Sequence, residues 1–106
     1  LLGTTRNATN DYNPLADGAD RQTSCTGWKA EGADMVYAVT IPDTYTFEAV
    51  LNPLGDKDVS LYLLSDCGDA VNSCAVGHDG GTNPETITLE NTTGSDITYF
   101  IVVDAY

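Results

Sequence analysis

The chain has 106 residues, 42% of them hydrophobic, which is enough for one compact domain with a core and too apolar for a disordered acidic tail. Sixteen acids oppose four bases, for a formal net charge of −12. The bases Arg6, Arg21, Lys29 and Lys57 are scattered, so the clustered cations that phosphate recognition needs are missing, nucleic acid is excluded as a partner, and no run approaches the ~20 apolar residues of a membrane span.

Residues 1–33 are polar and turn-rich and read as an irregular segment, with a short edge strand at most. The chain opens at Leu1 without methionine or signal peptide, so it is expected to be a mature product, an excised piece or one unit of something longer. From Asp34 the pattern changes. DMVYAVTI puts Met35, Tyr37, Val39 and Ile41 on one face, and Pro42-Asp43 stops it. TYTFEAVL repeats the alternation with Tyr45, Phe47, Ala49 and Leu51 inward. After the NPLGDKD turn, VSLYLLS sets Val59, Leu61 and Leu63 opposite Ser60 and Tyr62. SCAVGHD is a short strand at best, and TNPETITLEN carries Ile87 and Leu89 on one face. TYFIVVDAY is apolar on both faces through Val103, the mark of a central, covered strand. Helical spacing is absent throughout, and short strands between Gly, Pro, Asn and Asp turns predict an all-β antiparallel sandwich in a single domain, with its core in residues 34–106.

Four of these segments carry a shared pattern. Gly32-x-Asp34-x-x-Tyr37 opens the first, Asp58-x-x-Leu61-Tyr62-Leu63 the third, Asp79 lies in a turn, and Tyr99-x-x-x-Val103-Asp104 closes the chain. This succession, from about Gly32 to Tyr106, resembles the bacterial pre-peptidase C-terminal (PPC) domain family. The resemblance implies a jelly-roll-like β-sandwich, non-catalytic and secreted, with some members binding calcium or fibrous substrates. By position Asp34, Asp58, Asp79 and Asp104 match the family's acids. Family members continue past the Val-Asp strand into one more strand, whereas here the sequence given stops at Tyr106. The expectation is therefore a sandwich short of its last strand, completed by a strand from a neighbouring copy or repeat, with LLGTT as a possible donor.

The high negative charge makes divalent cations a natural counterweight, and calcium suits an all-oxygen site assembled from several loops. The expected ligands are Asn10 and Asp11 of the N-terminal segment meeting Asp34 and Asp104 at strand ends, with Asp58 and Asp79 as further acids; the competing role of these residues is turn formation. Cys67 and Cys74 flank a glycine-containing loop with six residues between them, and a disulfide joining them is expected, leaving Cys25 over. A zinc centre from Cys25, Cys67, Cys74 and His78 is the metal alternative, against which the spacing argues. Asn7 and Asn91 open N-x-Thr sequons. Trp28, Tyr12 and Tyr106 are candidate contacts for a partner or glycan.

No G-x-S-x-G elbow or phosphate-cradling glycine loop is present, and His78 has no evident nucleophile, so catalysis is not expected. Two readings follow. One is a structural subunit or repeat of a calcium-stabilised extracellular filament or adhesin at a bacterial surface. The other is an accessory module of a secreted protease or other hydrolase, binding fibrous protein or polysaccharide or assisting maturation.

Overall fold

The computed structural model describes residues 3–15 and 25–106. Among them the chain forms six β-strands and no helix: β1 (Asp34–Ile41), β2 (Thr46–Leu51), β3 (Val59–Leu64), β4 (Cys74–His78), β5 (Glu85–Glu90) and β6 (Ile97–Ala105). A four-stranded antiparallel sheet runs β1-β6-β3-β4, and a two-stranded antiparallel sheet pairs β2 with β5. The chain crosses between the sheets after β1, β2, β4 and β5, which gives the expected two-layer sandwich.

The alternation read from the sequence sets the inner face. Ile41, Leu61, Leu63, Ile87 and Tyr99 form the buried centre, and Val39, Phe47, Leu51, Val76, Leu89 and Ile101 pack around it. β6 lies between β1 and β3, in register from Asp34↔Asp104 to Ile41↔Ile97 on one side and Val59↔Ala105 to Leu64↔Phe100 on the other; its sequence is apolar on both faces because Tyr99, Ile101 and Val103 join the inner core while Val102 joins a small cluster on the outer face.

Two local departures have physical causes. β2 starts at Thr46 rather than Thr44, because Pro42–Tyr45 make a turn with Thr44 at φ 68° and the Tyr45 amide bonded to the Pro42 carbonyl. β3 is buried along its whole length, on the face of Ser60 and Tyr62 as well as on that of Val59, Leu61 and Leu63. Tyr12, Cys25, Ala70 and Cys74 pack over Tyr62, Leu64 and Val102, so the outer face of the large sheet has a second small core. The N-terminal segment is irregular where described, and the donor candidates Leu1 and Leu2 lie outside the described residues. Gly3 sits against the Tyr37 hydroxyl at the inner face, where a Cβ would come within 2.2 Å of that oxygen.

Candidate cation centre at the acidic pole

Antiparallel pairing gathers the start of β1, the end of β6 and the start of β3 at one pole of the sandwich. Asp34 pairs with Asp104, and Asp104 with Ser60, so the three side chains form a row across three strands. Side chains alternate faces, so Tyr62 shares the outer face with Ser60. All four residues are buried.

Each carboxylate has one oxygen held and one without a partner. Asp34 Oδ2 accepts the backbone N–H groups of Asp11 and Tyr12, the latter at 2.8 Å. Asp104 Oδ2 accepts the Tyr62 hydroxyl at 2.8 Å. Asp34 Oδ1, Asp104 Oδ1 and Ser60 Oγ are buried with no hydrogen-bond partner. Burial pushes the Asp104 carboxyl up to about 8, with the Tyr62 hydroxyl acting the other way and the neighbouring Asp34 adding to the rise. The Tyr62 phenol is raised as well, first by burial and then by the Asp104 charge.

The remaining expected ligands are placed differently. Asn10 is exposed and its amide donates to the Glu31 carbonyl at 3.1 Å. Asp11 reaches Asp34 through its backbone, while its carboxylate accepts the Thr9 hydroxyl. Asp58 is exposed, and its carbonyl accepts the Tyr106 amide at 3.3 Å. The Tyr106 hydroxyl donates to Asp79 Oδ2 at 2.9 Å, and burial raises the Asp79 carboxyl. Asp34 and Asp104 are thus brought side by side, with Asp58 and Asp79 grouped around Tyr106. Among the described residues no three His, Cys, Asp or Glu side chains form a metal-ligand group; the centre has two carboxylates and a hydroxyl.

Ser60 carries no functional expectation from the sequence, Tyr62 only that of contact surface, and Glu85 only that of one more acid in the turn with Asp79 and Asn83. Glu85 is fully buried, bonded to His78 Nδ1 and to the Gly80 N–H at 3.0 Å, and so clasps β4 to β5. The signal for Ser60 and Tyr62 was their parity with Asp58, but their partnership with Asp104 depends on register across β3 and β6.

The disulfide joins Cys25 to Cys74, with 5.5 Å between Cα atoms, and Cys67 is the free cysteine. This corrects the expected Cys67–Cys74 bridge and removes two ligands of the zinc alternative. Cys74 belongs to the small outer core, where the segment carrying Cys25 lies flush on β4; a Cβ at Gly77 would fall 2.6 Å from the Cys25 carbonyl oxygen. The loop holding Cys67 closes without a staple, through Ser65 N–H to the Ser73 carbonyl, Gly68 N–H to Asp66 Oδ1, and Ser73 Oγ to the Asp66 carbonyl. The nearby Cys67 side chain, first, and then burial raise the Tyr12 phenol. Tyr12 is therefore half-buried core cover rather than open contact surface, whereas Trp28 and Tyr106 are about half exposed.

No family model, curated protein or solved structure matches this chain. Its class is that of an all-β sandwich with an internal disulfide. The bridge is compatible with an oxidising extracellular setting, and among the described residues no helix is long and apolar enough to cross a membrane.

Proposed function

We propose that this chain is a non-catalytic extracellular structural module of PPC type. It serves as a subunit or repeat of a calcium-stabilised surface filament or adhesin, its sandwich completed by a strand from a neighbour. The observation that carries this reading is the imbalance of the layers. Among the described residues two strands face four, and β2 pairs with β5 alone. The inward Phe47, Ala49 and Leu51 of β2 stay half-buried, as do Met35, Tyr37 and Val39 of β1. An edge with free backbone donors and apolar side chains beside it favours strand addition. Copies of charge −12 repel one another, so bound cations favour their association. LLGTT is the donor this reading prefers.

The test is sedimentation and negative-stain microscopy of the purified chain with calcium and with EDTA. Assembly in calcium, dispersal in EDTA, and loss of assembly on deleting residues 1–5 are expected. A chain that stays monomeric under both conditions overturns the reading.

The accessory-module alternative keeps one specific support, the half-exposed Trp28 and Tyr106. Retention on collagen, chitin or cellulose that disappears in Trp28→Ala is its signature, and retention unaffected by that change removes the stacking role.

A further inference from the structure

We infer that Asp34 Oδ1, Asp104 Oδ1 and Ser60 Oγ are the protein ligands of one buried hard divalent cation, calcium by preference. The inference rests on the calcium part of the proposed function and is independent of strand donation.

Three observations lead there. First, the row is fixed by the most regular part of the fold: Asp34, Asp104 and Ser60 are consecutive partners across β1, β6 and β3. Their positions are set by backbone ladders rather than loop conformations, so the oxygens are held in place before any ligand arrives. Second, these are three of the four buried side-chain oxygens without a partner among the described residues, Glu85 Oε1 on β5 being the fourth, and a buried polar atom left unpaired is costly. Among the described residues Lys29 pairs with Glu31, and no Lys or Arg is bonded to either aspartate. Third, each carboxylate is oriented by its other oxygen. The Asp11 and Tyr12 amides hold Asp34, and the Tyr62 hydroxyl holds Asp104, as outer partners hold the ligands of metal centres.

The donor set selects the ion. Two carboxylates balance a double positive charge, and a hydroxyl with no imidazole or thiolate suits a hard ion such as calcium rather than zinc or copper. Water and backbone oxygens supply the rest of a calcium shell. The geometry also links the ion to residues 9–12, which lie across the site: the Asp34 amide donates to the Thr9 carbonyl at 2.9 Å while the amides of Asp11 and Tyr12 hold the Asp34 side chain. An ion on Asp34 thereby fixes this strap.

The experiment uses the full chain, stripped with EDTA and kept dilute enough to be monomeric, so that failure here is separable from failure to assemble. Calcium is titrated by calorimetry and by thermal unfolding, and terbium by luminescence excited through tyrosine. Expected are one saturable site per chain, a calcium-dependent rise in Tm, and terbium emission that calcium displaces. Tyr62→Phe should dim that emission with binding retained. Asp34→Asn and Asp104→Asn should weaken binding by roughly tenfold or more, Ser60→Ala by less, and Asp58→Asn and Asp79→Asn not at all. Folding of each variant is checked by circular dichroism. If an aspartate variant fails to fold, Ser60→Ala and the Tyr62-dependent emission still decide. Wild-type protein indifferent to calcium and terbium overturns the inference, showing that the two carboxyls share a proton instead. Binding lost in Asp58→Asn or Asp79→Asn but kept in Asp104→Asn overturns it too.

Discussion

At Asn91 every polar atom of the side chain is engaged. Its amide donates to the carbonyls of Ile41 at 2.8 Å and Ser95 at 2.7 Å, and its oxygen accepts from the Thr93 amide and hydroxyl. The residue is almost wholly buried where the β1–β2 and β5–β6 turns meet, so the sequon there marks a turn brace and its nitrogen is closed to a glycan in the folded chain. Asn91→Ala takes this donor from the buried Ile41 carbonyl, while the Ser95 carbonyl keeps the Thr93 hydroxyl, and should cost about 1–3 kcal/mol in urea unfolding. Asp104 sets a pH dependence of definite sign. Its folded value of about 8 lies above the ordinary aspartate value of ~3.9, so the folded chain keeps a proton that the unfolded chain gives up. That stabilisation is complete below about pH 4 and is lost as pH rises through about 8. In chelator, the wild-type Tm should fall across this window relative to Asp104→Asn, whose neutral amide has no proton to lose.

At the scale of the element, the disulfide gives a sharp contrast between cysteines. The bridge spans a sequence separation of 49, for which the chain-entropy model gives about 4 kcal/mol, so Cys74→Ser should lower the urea midpoint strongly. Cys67→Ser should change stability by under about 1 kcal/mol, because Cys67 is free, only half-buried and held in a loop that closes through its own hydrogen bonds. Alkylation of the unreduced protein should label Cys67 alone. The strands themselves were legible in the sequence, since Met35, Tyr37, Val39 and Ile41 or Phe47, Ala49 and Leu51 announce a face by simple alternation. The partner of Cys74 was not, because the nearer cysteine in sequence lies in a self-closed loop while the farther one is laid on β4 by tertiary packing. The burial of Ser60 and Tyr62 was not legible, since nothing in VSLYLLS indicates that Tyr12 and Cys25 return to cover that face of β3. Asp34 and Asp104 were legible as acids at strand ends; their adjacency depended on the β1–β6 register.

Across the whole molecule, stability is distributed unevenly between the layers. β3 and β6 are paired on both sides and carry the buried Leu61, Leu63 and Val102, whereas among the described residues β2 and β5 form a ribbon with only each other as strand partners. Amide hydrogen exchange should therefore be slowest in β3 and β6 and fastest along the open side of β2. In an assembly built by strand donation, that open side is where protection should appear.

The bridge between Cys25 and Cys74 also determines how the domain carries a mechanical load. A pull applied through both ends of the chain passes from Cys25 through the sulfurs to Cys74, bypassing β1, β2 and β3, which lie inside the closed loop. Residues 26–73 are excluded from extension for as long as the bridge holds, and reduction would release on the order of 160 Å of hidden contour length at full stretch. A domain tethered at a surface would thus have a redox-gated length reserve, readable as a longer step in single-molecule pulling after thiol treatment.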